Sequence, residues 1–332
     1  MNPKMTTQEA ANCLGVTELW VQSQLSSYNL RYTKQQNHIY FGHSTARRLF
    51  GFSFTPMTAA FQIVKGGTGK TSIAQAFAIR ANLYGARVLC VDLDQQANLT
   101  HSFQIDANHS PVMVDILAEG YSLREAILPV FEGLDILPSR IENALLDEIL
   151  RMRSYPLETV YRDLFENLKG AYDLIVVDCP PSLGQSVTAI TLAADCVMAP
   201  VTPETFAMAG LEITCKAVAE LEANYKINIP LKILLNKFDP RTLLSQEAQQ
   251  LLSAEGLYKG KRLSQNIRSS QEFPNATAKG MTIFDTVKPS TAKEDIDAMT
   301  RELLGLDQKN NLISKQGLFK PKTRLKATAK DS

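Results

Sequence analysis

From about Thr58 onward, short and nearly continuous apolar runs alternate with longer stretches whose apolar residues recur every three or four positions. The apolar runs lie at 59–64, 88–93, 134–137, 173–178, 196–200 and 231–236. The helical stretches lie near 70–84, 157–169, 184–193, 203–224 and 243–254. A run such as LIVVD has no polar alternate positions, so it predicts a sheet covered on both faces. With right-handed crossovers, the alternation predicts an α/β fold with a doubly wound, mostly parallel sheet. The front of the chain is patterned differently. TTQEAANCL (6–14) reads as a short helix opened by Thr6 or Thr7 and stopped by Gly15, and a second helix runs from near residue 17 to about 25. RYTKQQNHIYF then alternates around Gln36-Asn37 as a hairpin or wing does, and a third helix covers about 44–50. Helix, glycine turn, helix and hairpin make a winged helix-turn-helix pattern, ending in a linker punctuated by Pro56. The expected division is a winged helix-turn-helix domain at 1–56, an α/β domain at 57–305 and a basic, flexible tail at 306–332.

Composition adds exclusions. At 332 residues, 45% hydrophobic and 21% charged, the chain has the make-up of a globular protein. No apolar run approaches the roughly 18 residues of a membrane helix, and MNPKMTTQEA has no signal-peptide core, so a cytoplasmic location is expected. The five cysteines form no C-x-x-C pair and the four histidines have no ligand spacing, which argues against disulfides and a structural metal. A net charge of +1 conceals an uneven distribution. Residues 1–56 carry five basic against two acidic side chains, and 305–332 carry seven against two, leaving an acidic middle. Basic ends of this kind suit an anionic partner.

The chemistry concentrates at VKGGTGKTS (64–72). An ordinary phosphate-binding loop, G-x-x-x-x-G-K-[ST], has glycine six residues before its lysine; here that position is Val64, followed by a second lysine, Lys65. Gly66, Gly67 and Gly69 let backbone N–H groups of the loop, including those of Thr68 and Ser72, approach a phosphate. Lys70 neutralises phosphate oxygens at the start of a helix, and the Thr71 hydroxyl can ligate Mg2+. That helix leads roughly 22 Å away, and RVLCVDLD returns by about the same distance, at roughly 3.3 Å per residue. Asp92 and Asp94 thus land beside the loop, one for the Mg2+ shell and one to orient a water. DLIVVD places Asp178 at the tip of a buried strand as a further Mg2+ acid, and Pro180-Pro181 stiffen a segment able to sense the γ-phosphate. In ILLNKFDPR, Asn236 stands at a strand end, either matching the adenine edge or forming the turn.

Together VKGGTGKTS, VDLDQQANLT, DLIVVDCPPSLG, APVTPETFAMAGL, LLNKFDPRT and NIRSSQEFPNATAKGMTIFD resemble the ParA family of plasmid and chromosome partition ATPases, within the ParA/MinD group that carries a deviant Walker A loop. The resemblance spans about 59–305. It implies an ATPase with ATP and Mg2+ as cofactors and slow intrinsic turnover. Lys65 becomes the signature lysine that reaches the nucleotide of the other subunit in an ATP-dependent homodimer. Asp94 becomes the hydrolysis-linked acid and Asp178 the Walker B acid. Arg241 and Arg268 stand where relatives bind DNA without sequence preference, on the nucleoid, and a ParB-like centromere-binding protein is the expected partner. The front domain resembles the MerR-like winged helix-turn-helix of longer plasmid-type members. That implies operator binding and autoregulation, with Gln22, Ser23 and Gln24 as base contacts and Arg31, Lys34, Arg47 and Arg48 on phosphates.

Gln95, Thr68 and Ser72 depart from the usual Pro, Val and Thr of relatives without removing a chemical group. Two alternatives stay open. A MinD-like regulator that cycles on membranes needs an amphipathic C-terminal helix, which Pro321 interrupts, so no stable membrane association is expected. The other is a transcriptional repressor whose ATPase fold sets only its oligomeric state.

Overall fold

The computed structural model describes residues 1–35, 38–168, 170–254 and 256–306. The Gln36-Asn37 turn and the tail beyond Leu306 lie outside them. The chain opens with β1 (Met5–Thr6), α1 (Thr7–Leu14), α2 (Glu18–Ser27), β2 (Thr33–Gln35), β3 (His38–Phe41) and α3 (His43–Phe50). Local chemistry accounts for these boundaries. Thr6 caps α1 in a reciprocal box with Glu9, and Gly15 closes it at φ 64°, where a side chain would be strained. The Thr17 hydroxyl accepts from Trp20 N at the start of α2. The strands pair antiparallel in the order β1-β3-β2.

The main sheet has seven strands: β4 (Met57–Phe61), β5 (Val88–Asp92), β6 (Leu128–Phe131), β7 (Leu134–Leu137), β8 (Leu174–Asp178), β9 (Cys196–Val201) and β10 (Leu231–Leu235). Their order is β10-β9-β4-β8-β5-β7-β6. All neighbours run parallel except β6, an antiparallel edge strand with a bulge between Pro129 and Phe131. The fold is thus the doubly wound α/β architecture. The hydrophobic pattern missed β6 because proline is tolerated only where a ladder N–H is dispensable, as on an edge. It also missed Asn98–Ser102, Met113–Glu119, Leu123–Ala126, Leu146–Met152, Glu272–Thr277 and Thr291–Leu303. All but the last are single- or two-turn helices with little periodicity to read.

The helix α4 (Lys70–Leu83) runs from the phosphate loop to the opposite end of the sheet, buried on nearly every side. There it meets the front of the chain. Met5, Ala10, Val21, Leu25, Ala46, Leu49 and Phe50 belong to one continuous core with Phe77, Leu83, Tyr84 and Met299. Phe50 and Phe52 stack with ring centroids 5.2 Å apart, and both sit edge-on to the fully buried Tyr84. Arg47 Nη1 donates to Gly85 O and to Asp173 Oδ2, the latter at 2.7 Å. A Cβ on Gly85 would lie 2.5 Å from Arg47 Cα, so the two backbones touch.

Asp173 also accepts from Arg87 N, Nε and Nη2. Burial pushes its carboxyl up, but the Arg87 and Arg47 bonds outweigh this and hold it at about 2, below the ordinary 3.8. Because the folded value is depressed, the stability is present above pH 3.8 and lost as pH falls towards 2. Asp173→Asn is therefore expected to lower unfolding free energy by about 2 kcal/mol at neutral pH. Urea melts at pH 7 and pH 2.5 check this, since the gap between the two proteins should narrow at the lower pH.

Candidate nucleotide site

The loop hangs between β4 and α4, and two neighbouring elements shape its mouth. Val64 N donates to Thr214 Oγ1 at 3.1 Å on the Thr205–Tyr225 helix. A Cβ on Gly210 of that helix would lie 2.5 Å from Val64 O and 3.0 Å from Lys65 Cβ, so only glycine admits this approach. Lys65 is thereby held at the exposed rim, and among the described residues its ammonium makes no ion pair. Beyond it, Gly67 and Gly69 take φ of 81° and 90°, and a Cβ added at Gly66 or Gly67 meets nothing within 4 Å. The loop is therefore an open, backbone-lined cradle at a helix N-terminus, the form that fits a phosphate.

Inside the cradle the chain's own acids balance its cation. Lys70 is buried; its Nζ lies 2.8 Å from Asp178 Oδ1 and 3.9 Å from Asp94 Oδ2. Thr71 Oγ1 donates to Asp178 Oδ2 at 2.6 Å. Burial works against the charge of Lys70, and Asp178 more than restores it, so its pKa is raised. Thr71, Asp94 and Asp178 thus converge as the sequence placed them, and Thr71 with Asp178 forms an oxygen donor pair suited to a hydrated Mg2+.

Asp92 faces Asp178 in register across β5 and β8, yet Oδ1 accepts from Asp94 N, and Oδ2 accepts from Thr100 N and Oγ1 at 2.9 and 2.8 Å. Burial, then the charge of Asp178, pushes its carboxyl up to about 7. Asp92 thus orders the turn that carries Asp94. Asn236 takes the turn-forming place of its two expected roles. Its Nδ2 donates to Thr68 O at 2.7 Å and its Oδ1 accepts from Lys237 N, while Lys237 Nζ donates to Gly67 O at 3.1 Å. The amide braces the loop. Thr68 is buried, with its hydroxyl unpartnered in the structure, and Ser72 is exposed on the first turn of α4.

Sequence reasoning missed several supports. Thr100 links Asp92 to Ser139 N at 2.9 Å. Asp147 Oδ1 accepts from Ser186 N at 2.8 Å, and its carboxylate abuts Gly184, so it anchors the segment that follows Asp178 and the two prolines. Gly210, a lone glycine within a helical stretch, was the one readable signal, because such a glycine marks close backbone approach.

The proposed DNA contacts divide. Ser23, Arg31, Lys34 and Arg48 are exposed, whereas Gln22 and Gln24 are half-buried and Gln22 donates to Glu18. Leu19 of α2 is also exposed, at 76%. Arg47 is bound to Asp173 and Gly85 through Nη1, so it fastens α3 to the main body, and its side chain is 41% exposed. Arg268 is clamped in two-pronged fashion by Asp295, with Glu294 at 3.5 Å, and its side chain is 44% exposed. Arg241 is 87% exposed on its side chain and is held only by its neighbour Asp239.

Comparison with known proteins agrees with this geometry. The AAA domain family matches residues 57–233, from the first residue of β4 into β10. A ParA family protein of Chlamydia trachomatis is 29% identical over 253 residues, covering 75% of this chain and 98% of that one. Among solved structures, the ATP complex of McdA from Cyanothece superposes with a TM-score of 0.69 at 20% identity, covering 77% of this chain and 99% of that one. Cobyrinic acid a,c-diamide synthase from Mycobacterium smegmatis, with bound ADP and magnesium, gives a TM-score of 0.62 at 26% identity, covering 75% and 94%. With the loop, the strand-end acids and the sheet order all in agreement, the chain belongs to the AAA domain family and, within it, to the ParA family of partition ATPases.

Proposed function

We propose that the chain is an ATP-driven partition switch. It binds ATP with Mg2+ in the loop, dimerises in that state, and the dimer binds DNA without sequence preference. A ParB-like centromere-bound partner then stimulates hydrolysis and release, and the N-terminal unit binds operator DNA of its own operon. One observation supports the dimer above the others. Lys70 is balanced within its own chain by Asp178 and Asp94, whereas Lys65 stands at the rim with no intrachain counter-charge among the described residues. A second cation at the mouth of a phosphate site suits a nucleotide held by another subunit.

The bound magnesium nucleotide supplies a scissile phosphoanhydride and a Lewis acid. The remaining work falls to residues of the chain. With nucleotide bound, Lys70 would turn from Asp178 to a phosphate oxygen, and Asp178 with Thr71 would be the residues to hold the metal. Asp94 orients the attacking water and accepts its proton at a carboxylate oxygen. Lys237 and Asn236 keep the loop carbonyls of Gly67 and Thr68 turned away from the phosphates, so that N–H groups face them. Among the described residues no helix is long and apolar enough to cross a membrane. Arg241 and the surface charges beside it remain the candidates for non-specific DNA contact.

The test is a gel shift on random-sequence duplex with ADP, ATP or a slowly hydrolysed ATP analogue. Retardation is expected with ATP and the analogue only. Raising salt from 50 to 200 mM should weaken it by about tenfold or more, as phosphate contacts require. Equal retardation with ADP would overturn the switch.

A further inference from the structure

The contacts between residues 1–56 and the rest of the chain are not those of a tethered module. Arg80, in the last turns of α4, is buried at 2% exposure, and its guanidinium meets Glu9 of α1 at 3.4 Å. Its Nε donates to Asp297 of the Thr291–Leu303 helix at 2.6 Å. Burial opposes that charge, but Asp297, Tyr84 and Glu9 more than offset it. His43, at the start of α3, is also buried; its Nδ1 lies 3.0 Å from Asn82 O, and its ring blocks the space beside Gly133. Lys4 N donates to Phe284 O at 3.0 Å. Every one of these attachments ends on α4, on the turn after it, or on elements packed against α4. The first residue of α4 is Lys70.

We infer that the helix-turn-helix unit and the phosphate site form one cooperative body, joined by α4, so that nucleotide occupancy governs the stability of the helix-turn-helix unit. This rests on the nucleotide binding proposed above. A ligand that binds only the folded state stabilises by RT ln(1 + [L]/Kd), and every amide whose exchange requires opening of the same body shares that gain. A separable front domain would gain nothing.

Native-state hydrogen exchange of the full chain tests this, with Mg-ATP at 100 times its Kd and under conditions where exchange follows equilibrium opening. Two sets of slow amides are compared: those of Ile175–Val177 in β8, and those of 10–14, 21–25 and 46–50 in the N-terminal unit. Both sets are expected to slow by about 100-fold. Slowing in β8 with no change in the N-terminal set would overturn the inference while leaving nucleotide binding intact. No slowing in either set would sink nucleotide binding, and this inference with it. Lys70→Ala supplies the control, in which ATP should alter neither set.

Discussion

Lys70→Ala is expected to abolish measurable ATP binding, whereas Lys65→Ala should bind ATP within about threefold of the parent yet fail to dimerise. The two lysines lie five residues apart in one loop, but their surroundings differ. Lys70 is 7% exposed and lies 2.8 Å from Asp178, in a cradle where its charge is little screened. Removing one partner from a buried ion pair costs about 3–5 kcal/mol. If a similar interaction holds the phosphates, affinity falls by about two to three orders of magnitude. Lys65 is exposed and engages no acid of its own chain among the described residues, so its loss leaves the intrachain site intact. Isothermal titration with ATP and sedimentation velocity with Mg-ATP separate the two effects. A Lys65→Ala protein that dimerised normally would remove the basis for the cross-subunit role.

Removing residues 1–56 is expected to yield a chain that does not fold to a cooperative ATPase. The cut would expose Tyr84, now enclosed by Phe50 and Phe52, together with Leu83 and the end of α4. Each such side chain loses about 1.5–3 kcal/mol of burial. Arg80 would lose Glu9 and Asp173 would lose Arg47, leaving Asp297 and Arg87 as their remaining partners. Against a typical margin of about 5–15 kcal/mol, these terms together leave little. Thermal melts and gel filtration of the 57–332 fragment provide the check. A monodisperse fragment that melts in one transition near the temperature of the full chain would show that the shared core is dispensable. This bears on any attempt to assign operator and non-specific DNA binding by truncation, because the cut also damages the site. Point changes on the outer face of α2, such as Leu19 and Ser23, avoid that confusion.

The engagements of Asp92 and Asn236 have a common origin. Both residues stand at strand ends next to the loop, where the sequence predicts ligands, and both spend their polar atoms on backbone groups that hold the loop in shape. A buried carboxylate or amide must find partners close at hand, and backbone N–H and C=O groups are the nearest available. Arg47 and Arg268 are engaged in the same manner. A basic side chain on a helix or loop reads as free until the fold sets an aspartate beside it, and Asp173 and Asp295 are 126 and 27 residues away.

What the sequence by itself determined is the part built from local rules. Strand and helix periods placed six of the seven main-sheet strands and the long helices other than Thr291–Leu303, because burial of alternate or every third to fourth side chain leaves its mark within a few residues. The loop and the convergence of Lys70, Thr71, Asp94 and Asp178 were equally legible, since glycine conformations and strand lengths carry acids to the loop by arithmetic. Only the tertiary structure decided which polar groups were already satisfied, that Gly210 presses against Lys65, and that residues 1–56 share a core with α4. Those outcomes depend on pairings across long stretches of chain, between surfaces that carry no periodic signal, and hydrogen-bond saturation becomes visible only when both partners are in place.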